Sequence, residues 1–290
     1  MHVAKATANL AQSSRAAVQS WLDAVLDGLD SGRLVPYLGP GIFGGCGSVP
    51  GSYRELAEFF GSKVALPRRA RGDLWASAQY VESRKHRNTL DAIMTEAFAE
   101  ALTPLPIHRA LAQRGLPLIV DTWYDGCMRS ALGDRSSWVE VQGGTRAAIG
   151  EERFYRTYAP SGAELAHGAA TDATTVLYKP HGSIAPARNY LVSDADYVEV
   201  LTEIDIQTPI PKAVQERRST LGFVYLGCRF HDQTLRIVAR QVAKRSPGPR
   251  FALVDPQVGL TPNEARFLQE CQARLVVAPP EEVLARLAGG

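Results

Sequence analysis

From Gly222 onward, short apolar runs alternate with helical stretches. Gly222 to Leu226, Arg250 to Val254 and Arg274 to Val277 read as strands; His231 to Ala243, Pro262 to Cys271 and Pro280 to Leu287 read as helices. Strands separated by helices of this length are joined by right-handed crossovers and lie parallel. Two earlier runs, Leu116 to Thr122 and Thr174 to Tyr178, have the apolar continuity of strands covered on both faces. The fold class that follows is α/β: a three-layer, Rossmann-like parallel sheet with helices on both faces.

A helix over Ala16 to Leu29 and a strand over Leu34 to Leu38 open the pattern. Four helical stretches then intervene before the next strand: Tyr53 to Phe60 (ended by Gly61), Asp73 to Glu82, Asn88 to Leu102 and Ile107 to Gln113. That is longer than a standard crossover and predicts a helical insertion at about 53–115, forming a cap or small helical layer over the site. Trp138 to Gln142 and Arg153 to Tyr158 read as further strands, and Pro211 to Thr220 as a helix. Another helix starts at Asp194, whose carboxylate can cap it. The expectation is a single domain over 14–290, with the Ala- and Ser-rich residues 1–13 fraying.

Composition excludes several classes. A net charge of +2 over 290 residues is far from the balance of a dedicated nucleic-acid binder. No apolar run approaches the roughly 20 residues of a membrane-spanning helix, and the start lacks a signal peptide's apolar centre. The expected location is cytoplasmic. Cys46, Cys127, Cys228 and Cys271 are scattered without a C-x-x-C pair, so no zinc knuckle or thioredoxin-type motif can be drawn.

Ligands of open α/β sheets bind at the carboxyl ends of the strands, near the switch in strand order. The first strand empties into Gly39-Pro40-Gly41-Ile42-Phe43-Gly44, with glycines at G-x-G-x-x-G spacing. Such glycines permit a sharp turn and close approach of backbone to a diphosphate, and the weaker reading is an ordinary surface loop. Thr122, Trp123, Tyr124 and Asp125 follow the second buried strand, and His181-Gly182-Ser183 the third. Gly227 and Cys228, with Asp232 beyond, follow the strand at Leu226, and Asp255 the next. A dehydrogenase would place an acid about 20 residues past the glycines, and a P-loop would continue G-K-[ST]; neither is present.

Taken in order, these segments resemble the sirtuin-like NAD-binding domains of bacterial NAD hydrolases. The resemblance rests on Leu38-Gly-Pro-Gly-Ile42, Ile107-His108-Arg-Ala-Leu-Ala112, Leu118 to Asp125, Lys179-Pro-His-Gly-Ser183 with Leu191 to Tyr197, and Val224 to Asp232. It implies NAD or ADP-ribose as ligand, with NAD cleaved to nicotinamide and ADP-ribose. It also implies a switch by self-assembly or an activating partner, and a place in defence against phage. The residues it implies are Gly39, Pro40, Gly41, Ile42, Thr122, Trp123, Gly227, Cys228, Asp232 and Asp255 for binding. Asp125 would hold the nicotinamide carboxamide and His181 would act as base. Read from the residues alone, His181 is a base near neutrality or a turn-fixing histidine, and Asp125 a ligand or a helix cap. Trp123 stands where the family has an asparagine and Asp121 where it has a threonine. Tryptophan has one donor and no acceptor, so it cannot place water as an asparagine does. The alternative is therefore a pseudoenzyme that binds NAD or ADP-ribose as a sensor or scaffold. No cysteine pairs match the zinc module of protein deacylases, and no metal is expected.

Overall fold

The computed structural model describes residues 11–43, 49–133, 135, 137–143, 155–166, 172–198 and 210–289. Helix α1 (Arg15–Asp30) is capped by Ser14 and buries Trp21, Leu22, Val25 and Leu29 on one stripe. Strand β1 (Leu34–Leu38) is buried along its whole length. A 3-10 turn, Pro40–Phe43, follows at once. The helical insertion comes next: α2 (Tyr53–Lys63), α3 (Leu74–Lys85), α4 (Arg87–Ala97) and α5 (Pro106–Gln113).

The sheet has nine strands in the order β11-β10-β9-β1-β2-β6-β3-β4-β5. These are β2 (Leu118–Asp121), β3 (Trp138–Gly143), β4 (Tyr155–Tyr158), β5 (Glu164–Leu165), β6 (Thr175–Lys179), β9 (Gly222–Leu226), β10 (Arg250–Val254) and β11 (Arg274–Val277). Strands β7 (Gly182–Ser183) and β8 (Asn189–Tyr190) form a separate antiparallel hairpin. The seven strands from β11 to β3 pair in parallel, and only β4 and β5 at one edge are antiparallel. The remaining helices are α6 (Cys127–Leu132), α7 (Lys212–Arg218), α8 (Gln233–Val242), α9 (Pro262–Glu270) and α10 (Pro280–Leu287).

From β1 the chain adds β2, β3, β4 and β5 on one side and then inserts β6 between β2 and β3, before returning to the other side of β1 with β9, β10 and β11. The reversal of strand order therefore lies between β1 and β9. Their register is unbroken from Leu34 opposite Gly222 to Leu38 opposite Leu226, so both strands release their loops at the same level.

Several boundaries differ from those read off the sequence. Helix α2 runs through Gly61 to Lys63, whose ammonium pairs with Glu96 at 2.6 Å. Helix α4 stops at Ala97 because Phe98 turns into an aromatic cluster, its ring 5.9 Å from Trp123 and 6.0 Å from Tyr124. The helical turn at 194–198 is capped by Ser193, not Asp194: the Ser193 hydroxyl accepts from the Asp196 amide, and Asp196 accepts from the amides of Val192 and Ser193. Residues 1–10, expected to fray, lie outside the described residues, as do Gly44 to Ser48 and Arg153. Ser13 is tied to β11 through the Val277 carbonyl and amide. Among the described residues, no helix is long and apolar enough to cross a membrane.

Candidate active site

The glycines meet across the switch point. The Gly39 amide donates to Leu226 O and the Gly41 amide to Gly227 O, each at 2.9 Å. A Cβ on Gly39 would lie 2.4 Å from Gly227 O, and one on Gly227 2.3 Å from the Ile42 nitrogen. Gly227 also sits at φ +64°, a conformation glycine adopts without penalty. Close backbone approach is thus the reason for these glycines, and the backbone approached is the facing loop of the protein. The two amides are committed there, and Pro40 has none to offer. Cys228 lies in the same interlock, its Sγ 3.2 Å from Tyr37 O. Burial pushes its thiol pKa up, which disfavours the thiolate.

The turn after β2 is fixed from three sides. Thr122 donates both its amide and its hydroxyl to Leu38 O, at 2.9 and 2.8 Å. Asp121 Oδ1 accepts from the Trp123 amide at 3.0 Å, and Oδ2 accepts from Lys179 Nζ at 2.7 Å. Lys179 also donates to the Asp125 carbonyl at 3.0 Å. The pairing of Leu118, Ile119 and Val120 with Val176, Leu177 and Tyr178 continues by one step to set Asp121 beside Lys179. Both are buried. Burial disfavours the ammonium, but Asp121, Asp125 and Glu140 outweigh it and hold the Lys179 pKa up. Burial pushes the Asp121 carboxyl up despite that partner.

Trp123 is 1% exposed and donates its indole N–H to Pro50 O at 2.9 Å. Its ring meets Tyr53 edge-on at 5.2 Å, and Tyr53 stacks on Trp75 at 5.3 Å. A buried ring thus bolts the strand end to the helical layer.

Asp125 uses one carboxylate oxygen at the helix start. Its Oδ1 accepts from the Cys127 amide at 2.6 Å, capping α6, while Oδ2 is buried with no partner among the described residues. His181, 1% exposed, stands at the end of β6. Its Nδ1 is 2.9 Å from the Tyr197 hydroxyl, and Nε2 is buried without a partner among the described residues. Burial, then the Lys179 ammonium, pushes the imidazole pKa down to about 4, so it is neutral at physiological pH. Ser183 links the two segments, its hydroxyl donating to Tyr124 O at 2.9 Å and lying 3.3 Å from Asp125 O. His108 at the start of α5 is a further buried neutral histidine, pushed down to about 4 by burial. Its Nδ1 accepts from the Leu105 amide.

A cavity of about 650 Å³ opens at the same edge, on the β10 side. Gly41, Ile42 and Phe43 form one wall, Asp255 and Gln257 another, and Pro280 and Glu281 a third. Asp255 Oδ1 accepts from the Gln257 amide at 2.8 Å. Asp232 caps its own helix, accepting from the Thr234 amide at 2.7 Å. The structure therefore groups Gly39, Gly41 and Gly227 at the switch point, Ile42 and Asp255 at the cavity, and Thr122, Trp123, Asp125 and His181 at the closed end. Asp232 is joined to none of these by a hydrogen bond.

The family model described as SIR2-like domain matches residues 117–276, over half of the chain. The chain belongs to the SIR2-like domain family. No curated protein matches it. The family match begins with the residue before β2 and ends inside β11, so it spans the strand ends that carry Asp125, His181, Gly227 and Asp255. Within this SIR2-like domain, sequence reasoning passed over the Asp121–Lys179 pair and the Tyr197 contact. The signal was available for the first: opposite charges at the ends of two otherwise apolar neighbouring runs.

Proposed function

We propose that the chain binds NAD along the carboxyl edge of the sheet and cleaves it to nicotinamide and ADP-ribose. The observation that carries this reading is His181: a buried, neutral imidazole with one nitrogen held and the other without a partner among the described residues, as is Asp125 Oδ2 at the end of the neighbouring strand. A buried polar atom without a partner costs about 1–3 kcal/mol, a cost that a ligand group relieves. The cavity at Ile42 and Asp255 is of a size for the nucleoside end of such a ligand. Family membership supports NAD as that ligand.

NAD supplies the scissile bond and a leaving group, nicotinamide, that departs neutral with the bonding electron pair. In this reading His181 Nε2 takes the proton lost when a hydroxyl or water oxygen bonds to the ribose carbon. Asp125 Oδ2 accepts from the carboxamide N–H. Asp255 accepts from ribose hydroxyls, and the 3-10 turn after β1 lies along the diphosphate. Gly227 and Cys228 shape that turn from behind. The domain is taken as 14–290 with its insertion at about 53–115, acting in the cytoplasm, with self-assembly or a partner opening the closed end. Depletion of NAD against phage is the role that fits such a switch.

A second reading, ligand binding without turnover, is favoured by Trp123, whose only donor is committed to Pro50. Incubation of the full chain with NAD, following nicotinamide, separates the two. Release that His181→Ala abolishes supports hydrolysis; a thermal shift with NAD or ADP-ribose but no release supports the sensor.

A further inference from the structure

The His181 imidazole has one described polar partner, and that partner is held from the helical insertion. Tyr197 lies in the helical turn at 194–198, its hydroxyl 2.9 Å from His181 Nδ1 and 3.4 Å from Leu191 O. Leu191 O already accepts the Tyr124 hydroxyl at 2.6 Å and keeps a second lone pair, so a Tyr197 hydroxyl proton directed to it leaves the Tyr197 oxygen free to accept from Nδ1–H. The opposite arrangement would place a proton on Nε2, making an orphan buried N–H. A bare ring nitrogen is the lesser fault, because buried N–H groups without acceptors are the rarer kind. The turn carrying Tyr197 is itself stapled. Arg87 Nη1, on α4, lies 2.9 Å from each Asp196 oxygen, and the Ala195 amide donates to Gln79 Oε1 on α3 at 2.7 Å. Asp196 is fully buried, with its Oδ2 also taking the Val192 and Ser193 amides.

We propose that Tyr197 is a positioning residue for His181, keeping the imidazole in the Nδ1–H form with Nε2 bare, and that Arg87 and Asp196 hold Tyr197 there from the helical layer. The catalytic consequence rests on the hydrolase reading above; the arrangement of protons does not. The insertion thereby sets the protonation geometry of the base through Tyr197, and a shift of α3 or α4 would reach His181 through this staple.

The test is nitrogen NMR on the full chain with ring-labelled histidine near pH 7, the His181 signals being identified by their loss in His181→Ala. Wild type is expected to show one tautomer at His181, Nδ1 protonated and Nε2 bare. Tyr197→Phe keeps the ring against Trp75 and His181 and removes only the hydroxyl. It is expected to fold as wild type and shift the signals toward a tautomer mixture, and Arg87→Lys to shift them partway. A protonated Nε2 or a mixture in wild type, or an unchanged Tyr197→Phe spectrum, would overturn the proposal. In turnover, Tyr197→Phe should lower kcat about tenfold with KM little changed, less than the about 10²–10⁴ of losing a base. A shifted tautomer with unchanged kcat would overturn the catalytic part. If no form of the protein releases nicotinamide, the hydrolase reading fails, and the ring-nitrogen signals still decide the role of Tyr197.

Discussion

The Trp123 indole donates to the Pro50 carbonyl at 2.9 Å, joining the turn after β2 to the chain entering α2. This contact ties that end of the candidate site to the helical layer. Trp123→Phe keeps a ring against Tyr53 and Phe98 and removes the bolt. It is expected to lower stability by about 1–3 kcal/mol, from one buried hydrogen bond and a smaller ring. NAD turnover should rise as the end opens. Thermal melting and nicotinamide release in parallel check this. A variant that melts lower and turns over no faster shows that Trp123 is not the barrier.

Lys179 and Asp121 clamp the turn that presents Trp123 and Asp125. Lys179→Met leaves a buried carboxyl without its cation and should cost about 3–5 kcal/mol. Pairing it with Asp121→Leu removes both charges and should recover most of that stability. The double variant still lacks the clamp, so amide exchange in the peptide from Leu118 to Ser130 should quicken relative to wild type. Equal exchange in the two proteins would mean that the pair serves stability alone.

Gly227 combines φ +64° with a Cβ position 2.3 Å from the Ile42 nitrogen. Gly227→Ala therefore meets backbone, which cannot yield as a flexible side chain does, and adds the strain of a left-handed conformation of about 1 kcal/mol or more. A marked fall in melting temperature is expected, together with loss of any NAD-induced shift. Gly72→Ala, also at positive φ but with open space around it, is the control and should cost only the backbone term.

The final βαβ units were legible because strand runs and helix stripes there are separated by clear breaks. Strands Gly222 to Leu226, Arg250 to Val254 and Arg274 to Val277 match the observed β9, β10 and β11. Residues whose roles come from partners far along the chain were not legible. Phe98 ends α4 through rings at 123 and 124, and Tyr197 meets a histidine sixteen residues earlier through a loop. The glycine loop was readable as a place of close approach, but that it approaches Gly227 depends on β1 and β9 being neighbours, which pairing alone decides.

The His181 pKa of about 4, against 6.5 in an unfolded chain, fixes a pH window. The imidazole stays neutral down to about pH 4, so kcat/KM should hold from neutrality and fall only as pH drops through about 4. A limb near 6.5 would show that His181 is more exposed in the working form. The sign for stability follows. The folded pKa is depressed, so the contribution is complete above about 6.5 and lost as pH falls through about 4. His108 behaves alike. Each is worth about 3 kcal/mol as an upper figure. Urea unfolding at pH 7 and pH 4.5 should show a smaller difference in a His108→Gln, His181→Gln double variant than in wild type.

The account stands most directly on whether a neutral, positioned His181 cuts NAD. The deciding measurement is nicotinamide released from NAD by the purified 290-residue chain across a concentration series, beside His181→Ala. Release that rises with protein and is lower by about 10²-fold or more in the variant is the expected result. No release at any concentration, or equal release from both proteins, would contradict it.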